Sequence, residues 1–268
     1  MACQITVIKL EGYGQWTLKL GSDREHQLQI LQALMYADLQ EYFSAKNGLV
    51  FCNRFDEFIA ITNQISLQDH KEILDKISKK NSEIRISMTV GIGKTPLESD
   101  KKILQIKKDD KNMIYKNIFA IEQEHGKRQV DNNKENRLTL SQHINDNLKI
   151  VHIDVDSSTA LTKNLSAYEI TNLLLKLHLQ ISDFFLKEES LTFFLGGDNF
   201  MVVAKDGLDI SKIKSIIDQI VESSDIKLNC GIGNGNNART AAMFATKSLD
   251  HIRQYRKCDK TINVFESN

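Results

Sequence analysis

The sequence predicts an α+β protein with two tandem ferredoxin-like units, each an antiparallel sheet with helices on one face in the order βαββαβ. Two internal similarities support this prediction. Residues 48–62 align with residues 190–204, with an aspartate at the same point of both segments. A Gly-Ile-Gly run follows in each half, at residues 91–93 and 231–233. Because the matching segments occur in the same order, we infer that one structural unit is repeated.

The first copy begins with a β-rich run at residues 5–10. An amphipathic helix follows, with apolar side chains at helical spacing over residues 28–43. Two short β-rich runs then flank Asp56, and they are so close together that only a tight hairpin can join them. A second helix over residues 68–80 and a β-run over residues 84–92 complete the predicted unit.

The second copy repeats this order of elements. They are predicted at residues 150–155, 170–184, 190–204, 210–223 and 226–232, with a further helix at 238–253. Between the copies, residues 122–137 contain almost no apolar side chains, which is typical of a solvated linker. We therefore predict a first domain over residues 1–125, a linker over 126–147 and a second domain over 148–268.

Composition excludes several classes of protein. Lys and Arg number 35, equal to Asp and Glu, so the chain has no general attraction to nucleic acid or to anionic membranes. No apolar run is long enough to span a membrane, and the N-terminal segment lacks the features of a signal peptide. We expect a cytoplasmic protein with no nucleic-acid or membrane partner. The cysteines include no close pair, which favours structural thiols over a zinc site or disulfides. They are Cys3, Cys52, Cys230 and Cys258.

Acidic side chains mark one end of the predicted sheet in the second copy. Asp154 and Asp156 end its first strand, and the hairpin carries Gly196, Gly197 and Asp198. Since these strands are neighbours in a ferredoxin-like sheet, the carboxylates are expected to converge. Carboxylate oxygens suit Mg²⁺ or Mn²⁺, and the paired glycines permit a positive φ and a close approach of phosphate to the backbone. This combination predicts a metal-bound nucleoside triphosphate.

Each of these features also has a structural interpretation. The Gly-Gly-Asp hairpin can be a turn without a ligand. The aspartates at the strand end can cap the next helix, as can Ser157 and Ser158, which are otherwise candidate phosphate contacts. His152 shares a sheet face with Asp154 by strand alternation and is a candidate general base. The alternative is a hydrogen-bonded sheet-face histidine without a catalytic role.

The segments IDVD and GGDNF resemble the palm-like core of GGDEF diguanylate cyclases and class III nucleotidyl cyclases. The resemblance implies two metal ions on Asp154, the carbonyl of Val155 and Asp198, with Asp156 as a further candidate ligand. Asn199 departs from the GGDEF pattern, in which an acid follows, and is a candidate substrate contact.

Two basic residues extend this resemblance to the last helix. Arg253 and Lys257 are placed like the basic residues that hold terminal phosphates in the cyclase core. The alternative is solvated charge that compensates the dipole at the helix end.

A second resemblance covers nearly the whole chain. On the segments ITVIKLEGYGQWT, LMYADLQ, GLVFCNRFDEFIAITN, HIDVD and LGGDNFM, the chain is identified as a member of the GTP cyclohydrolase III family. This implies hydrolytic opening of the guanine imidazole ring of GTP, with loss of the two outer phosphates. The implied product is 2-amino-5-formylamino-6-ribosylamino-pyrimidinone 5′-phosphate. The resemblance also implies Mg²⁺ dependence and a homo-oligomer, a dimer or tetramer. The alternatives are a cyclic-nucleotide synthase and a GTP-sensing module without turnover.

The first copy has lost the metal-binding pattern. Lys9 stands where Asp154 stands in the second copy, and Arg54 replaces a glycine of the hairpin. We therefore assign catalysis to the second copy. Lys9, Arg54 and Asp56 are expected to support substrate binding, with the Asp56 carboxylate accepting hydrogen bonds from the guanine edge. The alternative is an ordinary surface ion pair.

Overall fold

The computed structural model describes residues 2–106, 111–120, 147–156, 163–256 and 262–267. These residues form two compact units. The N-terminal unit contains described residues 2–93, 99–106 and 111–120, and the C-terminal unit contains described residues 94–98, 147–156, 163–256 and 262–267. The predicted linker, residues 126–147, lies almost entirely outside the described residues, so the domain boundary stays a prediction.

The N-terminal unit is built on a six-stranded sheet with the strand order β2-β3-β1-β4-β6-β5. Its strands are β1 (Cys3–Glu11), β2 (Leu49–Arg54), β3 (Glu57–Ile61), β4 (Arg85–Gly93), β5 (Met113–Tyr115) and β6 (Ile118–Ala120). The helices in this part of the chain are α1 (Tyr13–Lys19), α2 (Glu25–Ser44), α3 (Leu67–Lys80) and α4 (Pro96–Gln105). All pairings are antiparallel except that of β4 with β6.

The C-terminal unit is built on a five-stranded sheet with the order β11-β10-β7-β9-β8. Its elements are β7 (Leu148–Val155), α5 (Ala167–Lys187), β8 (Leu191–Gly196), β9 (Asn199–Ala204), α6 (Ile210–Ser224), β10 (Leu228–Gly235), α7 (Ala238–Arg256) and β11 (Val264–Ser267). The order β10-β7-β9-β8 matches β4-β1-β3-β2, which is the ferredoxin-like arrangement. The predicted α+β fold class is therefore confirmed.

The two faces of the C-terminal sheet have different partners. Val151, Ile153 and Val155 point to one face and pack with α5 and α6 in the apolar core. Strand alternation puts the intervening residues on the opposite face, which α7 covers. A Cβ added at Gly231 would lie 2.2 Å from the carbonyl oxygen of Ala245 in α7, so only glycine permits this approach. The side chains of His152 and Asp154 therefore lie on the face that α7 covers.

Local signals explain where three of the helices begin. Ser66 and Ser166 form capping boxes at the starts of α3 and α5, and the Asp209 carboxylate accepts a hydrogen bond from a backbone N–H of α6. Each cap satisfies an amide that the first turn of the helix leaves unpaired, a contribution of about 1 kcal/mol. The starts of α3 and α6 lie within a residue of those predicted from hydrophobic periodicity, and α5 begins three residues earlier than predicted.

Three of the four cysteines lie in the described residues. Cys3, Cys52 and Cys230 are free thiols, and burial raises the pKa of Cys3 to about 12. A thiol with so high a pKa stays protonated and unreactive, which is typical of a structural residue. Cys258 lies outside the described residues. In the part of the chain that the structure describes, no helix is long and apolar enough to cross a membrane.

Candidate functional site

The hairpin of the C-terminal unit meets the end of β7. Asp198 lies in the two-residue turn between β8 and β9, and its carbonyl accepts a hydrogen bond from the backbone N–H of Val155 at 3.2 Å. The next residue, Asn199, pairs with Asp154 across the two strands. The structure therefore brings the two predicted metal-binding aspartates to the same end of the sheet.

The turn itself has an exposed backbone. Gly196 and Gly197 have φ values of 97° and 60°, a region that favours glycine. A Cβ added at Gly196 would meet no atom within 4 Å, so the space beside this residue is open. The predicted positive φ is confirmed, and the peptide groups of the turn are accessible to a ligand.

Asp154 is nearly buried, with 8% of its side chain exposed. Its Oδ2 accepts a hydrogen bond from Arg253 at 2.8 Å, and this pairing raises the pKa of the guanidinium. Its Oδ1 is buried without a hydrogen-bond partner. An unpaired buried carboxylate oxygen is costly and calls for an explanation, such as an ion that binds there.

Asp156 is held by a residue that sequence reasoning missed. Arg256, at the end of α7, donates hydrogen bonds to Asp156 and to Asn229. Two signals pointed to these partners: Arg256 lies one helical turn beyond Arg253, and Asn229 pairs with Asp154 across β7 and β10. Arg253 and Arg256 thus engage the two strand-end aspartates separately.

His152 belongs to a hydrogen-bonded chain of side chains. Its Nδ1 lies 3.1 Å from Thr246 Oγ1, and its Nε2 lies 3.0 Å from Asn199 Oδ1. The Nδ2 of Asn199 donates to Asp198 Oδ1 at 2.7 Å. Burial lowers the pKa of His152, opposed mainly by its hydrogen bond with Asn199. Both ring nitrogens are engaged, which favours the alternative of a hydrogen-bonded sheet-face histidine.

The donor set suits Mg²⁺ or Mn²⁺ completed by substrate. Among the described residues, no three His, Cys, Asp or Glu side chains are grouped as a metal cluster. Mg²⁺ is usually held by one or two carboxylates together with waters and phosphate oxygens, so two aspartates are enough. Asp154, with its unpaired Oδ1, and Asp198 at the same end of the sheet are the residues that could supply such oxygens.

The matching place in the N-terminal unit carries mixed charges. Lys9 pairs with Glu57 across β1 and β3, and Asp154 pairs with Asn199 at the matching place in the other unit. Arg54 lies 2.9 Å from a Glu57 oxygen and 3.7 Å from an Asp56 oxygen. Lys9, Arg54 and Asp56 are therefore neighbours, and the contacts of Arg54 match the ion-pair alternative. Three other predicted phosphate contacts lie outside the described residues. They are Ser157, Ser158 and Lys257.

Comparison with known proteins shows similarity along almost the whole chain. The sequence model of the family described as GTP cyclohydrolase III matches residues 5–266. The GTP cyclohydrolase III of Methanocaldococcus jannaschii is 36% identical over 93% of this chain and 88% of its own. That of Methanobrevibacter smithii is 36% identical over 94% of both chains.

Solved structures are similar over smaller parts. A GGDEF domain from Pseudomonas aeruginosa is 22% identical over 46% of this chain and 83% of its own, with a TM-score of 0.36. A guanylate cyclase domain from Catenaria anguillulae, solved in complex with GTP, covers 34% of this chain and 57% of its own at 14% identity, with a TM-score of 0.29.

Proposed function

Because the chain belongs to the GTP cyclohydrolase III family, we propose that it is a Mg²⁺-dependent hydrolase of GTP. It opens the imidazole ring of guanine and releases two phosphates. The product is 2-amino-5-formylamino-6-ribosylamino-pyrimidinone 5′-phosphate. The supporting observation in the structure is the unpaired Oδ1 of buried Asp154, which lies at the end of the sheet where the Asp198 hairpin meets β7.

Asp154, Asp198 and the carbonyl of Val155 would hold the metal ions. When bound, these ions neutralise the triphosphate and polarise the water and phosphoryl oxygens for hydrolysis. The exposed turn at Gly196 and Gly197 lets the phosphates approach the backbone. These groups position the triphosphate and stabilise charge, which is most of what phosphoryl transfer requires of a protein.

Arg253 has a second role in this proposal. Its side chain is 56% exposed, so it reaches both Asp154 and the solvent beside the site. A guanidinium binds a phosphate through two parallel hydrogen bonds. Arg253 is therefore suited to contact the triphosphate once cations neutralise Asp154. Asp156, held by Arg256, contributes by fixing the end of α7 against β7.

The ring opening needs one water. Its oxygen adds to C8 of guanine as N7 takes one proton, the C8–N9 bond then breaks as N9 takes the other proton, and the formyl group stays on N7. Two further waters hydrolyse the two phosphoanhydride bonds. The N-terminal cluster of Lys9, Arg54 and Asp56 supplies the recognition of guanine in this proposal, because a carboxylate accepts from N1–H and from the exocyclic amine together.

Product analysis tests the proposal. The protein is incubated with GTP and Mg²⁺ while guanine absorbance and phosphate are followed, and the products are identified by mass spectrometry. We expect loss of the guanine absorbance, two phosphates per GTP and a ring-opened monophosphate. Asp198→Asn with GTP is the matched control and should form these products far more slowly. Pyrophosphate release with an intact guanine would indicate a cyclic-nucleotide synthase, and binding without product would indicate a sensing module.

A further inference from the structure

We propose that His152 is a positioning residue, which orients the Asp198 carboxylate through Asn199. The proposal rests on the function proposed above, since it concerns the same site. It assigns to His152 a role other than proton transfer, and it gives Asn199 a role within the protein.

Three elements contribute to the chain of contacts. Thr246 on α7 lies 3.1 Å from His152 on β7, and His152 lies 3.0 Å from Asn199 at the start of β9. Asn199 in turn donates to Asp198 in the hairpin turn at 2.7 Å. The carboxylate at the exposed turn is thereby tied to the sheet and to the helix behind it.

Hydrogen-bond chemistry fixes the direction of this chain. A carboxylate only accepts hydrogen bonds, so the Nδ2 of Asn199 must face Asp198 and its Oδ1 must face His152. The Nε2 of His152 must then carry a proton, and the Nδ1 of the neutral ring accepts from the hydroxyl of Thr246. Every donor in the chain points towards Asp198, which is the arrangement that orients an anionic ligand for a cation.

The N-terminal unit provides an internal comparison. By strand pairing, Val7 stands in the place of His152, and Glu57 in the place of Asn199. Valine has no polar side-chain atom, so this chain of hydrogen bonds cannot form there. The hydrogen-bonded series of side chains therefore occurs in the unit that contains Asp154.

Direct metal binding tests the inference separately from turnover. The affinity for Mn²⁺ is measured by electron paramagnetic resonance, with the β,γ-imido analogue of GTP present. We expect His152→Leu to weaken Mn²⁺ binding about 10- to 100-fold, the usual effect of removing a group that orients a ligand. His152→Gln retains an N–H near the position of Nε2 and should recover most of the affinity and activity. Asn199→Ala cuts the chain at another link and should weaken Mn²⁺ binding in the same way.

A matched control is His178→Gln, on α5, where the ring stacks on Phe194 and Phe200 away from the site. Mn²⁺ affinity should not change in this variant. Long-range ¹⁵N–¹H spectra of the wild type should show the Nε2–H tautomer of His152.

Two results would overturn the inference. One is unchanged Mn²⁺ affinity in folded His152→Leu and Asn199→Ala. The other is loss of turnover in both His152→Leu and His152→Gln with intact Mn²⁺ binding, which would identify His152 as the general base. Failure of the proposed function is distinguishable, because the wild type would then yield no ring-opened product whatever the variants bind.

Discussion

Arg253 and Asp154 form a hydrogen-bonded ion pair of 2.8 Å in which the aspartate is nearly buried and the arginine is half exposed. The pair uses one carboxylate oxygen of Asp154 and leaves the other buried without a partner. The Asp154 carboxylate therefore binds one cationic side chain through Oδ2 and has a second oxygen, Oδ1, that can still accept a hydrogen bond or bind a cation. This geometry underlies the first two predictions.

Replacing either aspartate should greatly reduce turnover without unfolding the protein. Asp154→Asn or Asp198→Asn removes a negative charge from the proposed metal site and keeps the side-chain volume. We expect kcat/KM for GTP to fall on the order of 10²- to 10³-fold, the scale of losing one electrostatic contact in an active site. Steady-state kinetics and thermal unfolding measure both effects. Asp218→Asn, on an exposed part of α6, is the control and should leave activity intact. Wild-type activity in either site variant would refute the metal assignment.

Removing the guanidinium should favour the bare metal site. In Arg253→Ala, Mn²⁺ no longer competes with the guanidinium for Asp154. The affinity of the nucleotide-free protein for Mn²⁺ should therefore rise about two- to fivefold, which corresponds to the free energy of a partly exposed ion pair. The KM for GTP should rise as well, because the proposed phosphate contact is lost. Titration with Mn²⁺ and GTP kinetics separate the two effects. Arg253→Lys keeps the charge and should lie between wild type and alanine. Weaker Mn²⁺ binding by the alanine variant would contradict the competition argument.

The N-terminal cluster should contribute to the choice of base. Asp56→Ala removes the carboxylate proposed to accept from guanine, while the ion pair of Arg54 with Glu57 at 2.9 Å can persist. We expect the ratio of kcat/KM for GTP over ATP to fall by about tenfold or more, since polar contacts to a base discriminate strongly. Glu57→Gln is the comparison variant and should keep the preference for GTP. An unchanged ratio in Asp56→Ala would remove the base-reading role.

The contact between α7 and the sheet should not tolerate a methyl group. A Cβ at Gly233 would lie 2.2 Å from the backbone nitrogen of Ala245 and 2.3 Å from the carbonyl oxygen of Ala241. Gly233→Ala should therefore lower the free energy of unfolding by about 1–3 kcal/mol, as overpacking does. Denaturant unfolding measures this change. Gly14→Ala, where an added Cβ meets nothing within 4 Å, should be neutral or slightly stabilising. Equal stability of both variants would be inconsistent with the packing described.

Stability should fall on acidification partly because of His70. This ring is fully buried and bonded to Thr6 and to the carbonyl of Ser66, and burial lowers its pKa below 6.5. The unfolded chain therefore binds a proton that the folded state does not. His70 therefore does not reduce the free energy of unfolding above about pH 6.5, and it reduces it progressively as the pH falls below that value.

Denaturant unfolding as a function of pH measures this contribution. In His70→Gln, the decrease in stability between neutral and mildly acidic pH should be smaller than in wild type. The exposed His26→Gln should keep the wild-type slope. Identical slopes for wild type and His70→Gln would show that another group is responsible.

Much of the architecture could be predicted from local patterns. The four principal strands of each unit and five of the helices, α2, α3, α5, α6 and α7, follow hydrophobic periodicity, and the Gly-Gly-Asp hairpin follows from turn chemistry. The helices α1 and α4 were not predicted. The short strands β5, β6 and β11 were missed, because strands of three or four residues have no readable period and exist through pairing with a neighbour.

The site divides in the same way. The convergence of Asp154 and Asp198 followed from the strand order of a ferredoxin-like sheet. The hydrogen bonds of Arg256 and Thr246 did not, since they depend on the place where α7 crosses the second face of the sheet. That crossing is set by the close approach at Gly231 and Gly233, a contact between segments distant in sequence.

Residue order and type alone establish the two-unit α+β architecture, the acidic strand end and the glycine hairpin, because these depend on near neighbours along the chain. Tertiary structure decides which side chains satisfy one another: Arg253 rather than solvent on Asp154, and Asn199 between His152 and Asp198. Hydrogen bonds and ion pairs act over a few ångströms, so their partners are fixed only when distant segments pack together.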